Sequence, residues 1–145
     1  MRVVGFDDLS SREAYGLWRL RQQVFVVEQA SPYGDLDGRD LDDTTRHVLL
    51  EEDGRLIGCL RVVDDGDAVR VGRVVVAPEA RGRRLGARLM EEAMRLVGDR
   101  PARLDAQTPL AGFYAGFGFE VVGPEFDEDG IMHLPMARPG RGQGQ

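Results

Sequence analysis

The stretch 76-VAPEARGRRLGARLM-90 sets four arginines, Arg81, Arg83, Arg84 and Arg88, around Gly82 and Gly86 in a chain of formal net charge -6. Upstream, the β-branched run 68-AVRVGRVVVA-77 halts at Pro78. Downstream, 82-GRRLGARLMEEAMRLVG-98 puts Leu85, Leu89, Ala93 and Leu96 at helical spacing. The stretch therefore reads as strand, tight turn and helix. The first N–H groups of a helix have no internal acceptor, and its N-terminus carries about half a positive charge, so the turn attracts anions. Gly82 and Gly86 remove side chains where a bound pyrophosphate would otherwise meet a Cβ. The same glycines also serve an architectural reading, in which they shape the turn and let helix and strand approach closely.

All 19 basic residues are arginine, and neither lysine nor asparagine occurs. A GC-rich coding sequence accounts for part of that bias, so the arginine side chains say less than the glycines between them. The acidic balance argues against non-specific nucleic-acid binding, which needs a basic face to displace counterions. It suits a cationic acceptor, which an acidic cleft concentrates. Five aspartates fall in 35-DLDGRDLDD-43. Read as a calcium loop from Asp35, this run has its glycine at position four and Arg46 at position twelve, where a bidentate glutamate is needed, so a solvated acidic loop is expected instead.

At 145 residues and 42% hydrophobic content the chain supports one core. No window of about 18 apolar residues is present and the N-terminus lacks a secretory pattern, so a cytoplasmic protein is expected, with no membrane partner. The single cysteine, Cys59, sits in the apolar run 56-LIGCLRVV-63 and reads as a small buried hydrophobe. It builds no metal site, and none is expected.

Ser10 is placed to cap a helix through Glu28, with Leu17, Leu20, Val24 and Val27 as its apolar stripe. Residues 46–52 and 55–63 flank Asp53-Gly54 as a β-hairpin, and 68–77 supplies the next strand. Beyond the helix at 82–98 come a strand (102–107), a short helix (109–117) and strands at 118–123 and 130–137. This order predicts a mixed α/β layer fold with helices packed on the faces of a central sheet. Residues 1–138 are expected as a single domain and 139–145 as a disordered tail.

The turn resembles motif A of the GCN5-related N-acetyltransferases (GNAT), a Gln/Arg-x-x-Gly-x-Gly/Ala pattern after a strand. Arg81, Leu85 and Gly86 match it, and Arg84 stands at the middle glycine. The segments 21-RQQVFVVEQASPYGDLDGRD-40, 72-GRVVV-76, 114-YAGFGF-119 and 128-EDGIMHLPMAR-138 resemble the ElaA-like subfamily, in which that glycine is commonly replaced by a charged residue. The resemblance implies the GNAT fold, with a mostly antiparallel sheet splayed between its fourth and fifth strands. It also implies transfer of an acetyl group from acetyl-CoA to an amine, without a metal. Carried over, it assigns cofactor contacts to Val74, Val75 and Val76 and to the turn Arg81, Gly82, Arg83, Arg84, Leu85, Gly86 and Ala87. Phe25, Glu28 and Asp37 become acceptor contacts, and a homodimer is compatible with it. Tyr114 matches the family's general acid. The base is open between His133, whose imidazole class titrates near pH 6.5, and Glu28, with His47 a weaker candidate. Acyl-homoserine-lactone synthases share the Arg-x-x-Val-Phe-Val-x-Glu run, so a synthase of that class is the alternative enzyme, and a non-catalytic CoA-binding module is the alternative outside catalysis.

Overall fold

The computed structural model describes residues 1–32 and 34–141. In chain order the elements are β1 (Arg2–Val4), α1 (Ser11–Arg21), a π-helical continuation (Gln22–Glu28), β2 (Arg46–Glu52), β3 (Arg55–Asp64), β4 (Val69–Val76), α2 (Leu85–Val97), β5 (Ala102–Gln107), α3 (Ala111–Ala115), β6 (Glu120–Val121), β7 (Phe126–Glu128) and β8 (Ile131–Arg138). They form one sheet of order β1-β2-β3-β4-β5-β8-β6, with β7 also on β8. Every pairing is antiparallel except β4 with β5, which is parallel over Val69 with Ala102 and Arg70 with Arg103.

Local chemistry explains most of these elements. Asp53 and Gly54 both take positive φ, 54° and 75°, the geometry of the two-residue turn that joins β2 to β3. At the start of α1, the Glu13 N–H donates to Ser10 Oγ at 3.1 Å and the Ser10 N–H donates to Glu13 Oε1 at 2.9 Å. This capping box satisfies two of the helix's free donors.

Helices lie on both faces of the sheet. A Cβ at Gly58 would stand 3.2 Å from Leu89 of α2, whereas the Arg21 guanidinium of α1 acts electrostatically on the adjacent Cys59. Leu17, Leu20 and Val24 from one helix, and Leu85, Leu89, Met90, Ala93 and Val97 from the other, join a core that extends to Met136.

Two apolar stripes differ from the sequence expectation. Val27 is 66% exposed, because the backbone widens to i→i+5 bonding after Arg21 and turns that side chain out of the stripe. Leu96 is also exposed; the buried arc of α2 is centred on Ala93 and takes in Met90 and Val97, leaving Leu96 at its edge. Strands β1 and β7, three residues each, were not expected, and the strand at 118–123 shortens to Glu120–Val121. These short strands exist through their pairing with β2 and β8, which is a long-range matter. In the expected tail, Arg141 N–H donates to Asp99 O at 2.8 Å, and residues 142–145 lie outside the described residues. Among the described residues no helix is long and apolar enough to cross a membrane.

Replacing Ser10 with alanine removes the cap and is expected to cost about 1 kcal/mol. Urea unfolding should show a lower midpoint with an unchanged slope.

Candidate active site

Beyond Arg70 the strands β4 and β5 part. The wedge between them is a cavity of about 510 Å³. Gly72, Arg73 and Val74 form one wall, and Leu104, Gln107 and His133 form the other. The parting coincides with a bulge: Cys59 pairs with Val75 and Arg61 with Gly72, so Leu60 opposes both Arg73 and Val74. Arg73 takes φ 53°, a left-handed conformation that costs a non-glycine residue about 1–2 kcal/mol.

The π-helical turn brings the N-terminal segment to this wedge. Gln29 N–H donates to Val24 O at 3.2 Å and Ser31 N–H to Val26 O at 3.1 Å, both i→i−5 bonds. Phe25 and Gln29 consequently line the cavity. Two further bonds cross the opening: Gln29 Nε2 donates to Gln107 Oε1 at 3.3 Å, and Ser31 Oγ donates to Asp129 O at 2.9 Å. Helical segments of this kind recur at functional sites because the extra residue redirects side chains.

The acidic loop is a solvated face only in part: Asp37, Asp42 and Asp43 are exposed, whereas Asp35 and Asp40 turn inward, against the sequence expectation. Asp35 and Asp40 are buried and bonded to the buried Arg21, through Nε at 2.8 Å and Nη1 at 2.9 Å respectively. Arg61 donates to both oxygens of Asp37, at 2.8 and 2.5 Å, and to Asp40 Oδ1 at 3.2 Å. Arg73 adds contacts to Asp35 Oδ1 at 3.0 Å and Asp37 Oδ2 at 3.3 Å. Three arginines thus meet three aspartates in one cluster. The Arg61 hydrogen bond holds the Asp37 carboxyl well below the usual carboxylate range. Burial pushes Asp40 up, but the bond from Arg21 and the charges of Arg21 and Arg61 outweigh it and leave the carboxyl lowered.

At the motif turn, Arg81 forms a bidentate pair with Glu28 at 2.6 and 2.8 Å, and Arg83 pairs with Glu52. Arg84 caps α2 in the left-handed conformation, φ 59°, where the motif's glycine would sit without strain. Arg84 and Arg88 make no ion pair among the described residues. Gly82 takes φ 83° and has open space at its Cβ position; a Cβ at Gly86 would touch only Phe113, at 3.7 Å. The first-turn N–H groups of Leu85, Gly86 and Ala87 lack intrahelical acceptors by helix geometry.

Of the residues named from sequence, Phe25, Asp37, Val74, Tyr114 and His133 line the cavity. Val75 points into the core on the opposite side of the strand. Glu28 lies outside the lining, and its bond from Arg81 lowers its pKa. Tyr114 is 7% exposed, and burial pushes its phenol up to about 12. His133 Nδ1 sits 2.8 Å from the carbonyl of Ile131, and its ring stacks on Phe126. A carbonyl oxygen only accepts, so Nδ1 is the donor in this contact, and in the neutral ring the lone pair is then on Nε2. His47 is fully buried beside Asp40 and burial lowers its pKa, so it stands apart from the cavity as a neutral packing group. Burial likewise pushes the Cys59 thiol up to about 12. Among the described residues no group of His, Cys, Asp or Glu is arranged to hold a metal.

Sequence reasoning did not single out Arg21, Arg61, Arg73, Gln29, Gln107, Glu128 or Asp129. Excess arginine masked the first three, and the others converge only when distant segments meet. Glu128 and Asp129 line the cavity without an ion pair among the described residues, whereas Asp35, Asp37, Asp40 and Glu28 are neutralised by arginine.

A sheet parted between a bulged β4 and a parallel β5, with a glycine-bearing turn leading into the next helix, defines the GNAT acyl-CoA N-acyltransferase fold. The acetyltransferase (GNAT) domain profile matches residues 7–138, and the chain belongs to that family. Within it the chain is similar to ElaA of Escherichia coli, 41% identical over 91% of this chain and 91% of that protein. The crystal structure of E. coli ElaA superposes with a TM-score of 0.88 over 94% of this chain and 97% of its own. An acyl-CoA N-acyltransferase from Pseudomonas aeruginosa gives the same TM-score at 41% identity, with coverage of 94% and 97%. A UPF0039 protein of Mycobacterium tuberculosis is 48% identical over 99% of this chain and 95% of its own.

Because the carboxyls of Asp37 and Asp40 are lowered in the fold, their contribution to stability is complete above the unfolded aspartate pKa near 3.9 and is lost as pH falls through the folded values. Asp40→Asn leaves Arg21 and Arg61 short of a buried partner and is expected to cost about 3–5 kcal/mol at neutral pH. It should also flatten the stability curve below pH ~5, measured by urea unfolding across a pH series.

Proposed function

We propose that the protein is an N-acetyltransferase that moves the acetyl group of acetyl-CoA to a primary amine of a small molecule or peptide by direct attack. The observation that carries this reading is the wedge between β4 and β5, with strand backbone at Gly72–Val74 on one wall and Tyr114 and His133 among the groups facing it. A thioester laid along β4 would pair its pantetheine arm with the strand edge from Val74 to Val76. The diphosphate would rest on the amides from Arg81 to Ala87 at the positive end of α2. Arg84 and Arg88 are available for charge-assisted bonds to phosphate, because Arg81 and Arg83 are already engaged by Glu28 and Glu52.

The reaction needs a neutral amine, a polarised carbonyl and a proton for the leaving sulfur. Glu128 and Asp129 draw the ammonium form of the acceptor to the cavity mouth. His133 takes its proton at Nε2, directly or through water, as the amine nitrogen attacks the acetyl carbon. The new C–N bond forms on a tetrahedral centre whose oxygen is held by strand amides of β4. The C–S bond then breaks as Tyr114 donates its proton to the departing thiolate; the nitrogen sheds its second proton to the phenolate, directly or through water, and His133 releases the first to solvent. Burial pushes the Tyr114 phenol up to about 12, so it carries its proton at neutral pH and can donate it. Glu28 serves as the anchor of Arg81 rather than as the base.

The purified protein should release CoA from acetyl-CoA in the presence of a suitable amine from a panel of amines and peptides, and no turnover with any member would count against the reading. Tyr114→Phe should lower kcat by about 10²–10⁴-fold with CoA affinity unchanged, whereas a binding module would have no turnover to lose. The wild-type rate should show no alkaline decline from phenol ionisation up to about pH 10.

The diphosphate assignment is tested at Gly86, where the protein leaves room for a side chain. Gly86→Val should weaken CoA binding by calorimetry by about tenfold or more, as expected where a Cβ intrudes on close backbone approach.

A further inference from the structure

The left-handed position in β4 is held by arginine although a glycine stands beside it. In a two-against-one bulge whose first residue is left-handed, glycine is the ordinary occupant, because a Cβ there crowds the backbone. Here the positive φ falls on Arg73 and not on Gly72. What the arginine adds is reach: Nε lies 3.0 Å from Asp35 Oδ1, and Nη2 donates to Asp35 O at 3.1 Å and to Asp37 Oδ2 at 3.3 Å. Asp35 is held in turn by Arg21 of α1 at 2.8 Å. A run of ion pairs therefore connects the first helix, through the loop at 35–37, to the bulge. The bulge begins just past Arg70, the last β4 residue paired with β5.

Strain retained by a functional segment is held in place by its surroundings. The surroundings of Arg73 are the two aspartates and, behind Asp37, Arg61, which also reaches Asp40. We infer that Arg73 is a positioning residue: anchored on Asp35 and Asp37, it holds the β4 bulge so that the backbone from Gly72 to Val76 presents one fixed edge to the thioester. This rests on the acetyl-transfer reading above. Arg73 takes no part in bond making. It acts through the strand backbone, whose misplacement by about 1 Å is enough to cost on the order of 10² in rate.

The test compares Arg73→Gly and Arg73→Lys with the wild type. Glycine accepts the left-handed backbone while removing the tether, so the variant retains a route to the native fold. Lysine keeps the charge without the two-pronged donor geometry. In Arg73→Gly, kcat per CoA-binding molecule should fall about 10²-fold, with the KM for the amine within about threefold of wild type; Arg73→Lys should fall between the two. Backbone order parameters of Gly72 to Val76 in the free protein should drop from about 0.85 toward 0.6 in Arg73→Gly. A merely structural role would lower the melting temperature and leave kcat per CoA-binding molecule unchanged, and that result overturns the inference. If the wild type transfers no acetyl group, the catalytic reading fails by itself; the order parameters then decide, and unchanged values in Arg73→Gly overturn the tether.

Discussion

Two residue pairs, Val69 with Ala102 and Arg70 with Arg103, are the whole of the hydrogen-bonded seam between β4 and β5. A parallel seam this short lets the strands diverge, and the divergence creates a cavity in the middle of a sheet, where strand edges would ordinarily satisfy each other. The exposed backbone of β4 is then a row of donors and acceptors in need of a partner. An extended ligand with amide groups of its own, such as the pantetheine arm proposed above, would meet that need. The rest of the architecture keeps the wedge from closing or spreading. The β4 bulge bends one wall away, β8 backs the other, and the Gln29–Gln107 and Ser31–Asp129 bonds tie the N-terminal segment across the mouth.

The electrostatics follow a similar division. An acidic chain with many arginines has two ways to arrange its charge, and both are present. Around Arg21, Arg61 and Arg73 the charges cancel inside the protein, where an unpaired ion would be costly and where the pairs constrain the loop at 35–41. At the cavity mouth, Glu128 and Asp129 remain uncompensated among the described residues. At the start of α2, Arg84 and Arg88 make no ion pair among the described residues. Opposite charge is therefore offered at two places, one suited to an amine and the other to phosphate.

Much of the fold was legible because its signals are local. Asp53-Gly54 specifies its hairpin by left-handed propensity, Ser10 and Glu13 specify the start of α1, and Pro78 ends β4. The resemblance to the ElaA-like acetyltransferases added the splayed sheet, which no local pattern implies. Val27 and Leu96 were misplaced because uniform helical spacing cannot anticipate a π-helical turn or the edge of a buried arc. At the site, Tyr114 and His133 were named from sequence and do face the cavity. Glu28 was named for the same chemistry, but Arg81 claims its carboxylate.

By itself, then, the sequence determined the kind of layers and the position of the strand-turn-helix junction, which rest on short-range patterns of glycine, proline and apolar spacing, while its resemblance to the ElaA-like segments pointed to the family. Only the tertiary structure decided which charges are spent internally. Arg21 and Asp40 lie nineteen residues apart, Arg73 and Asp35 thirty-eight, and Arg81 and Glu28 fifty-three. Whether such groups meet depends on how the chain packs, and in a low-dielectric interior that meeting settles whether an aspartate attracts a substrate or holds up a strand.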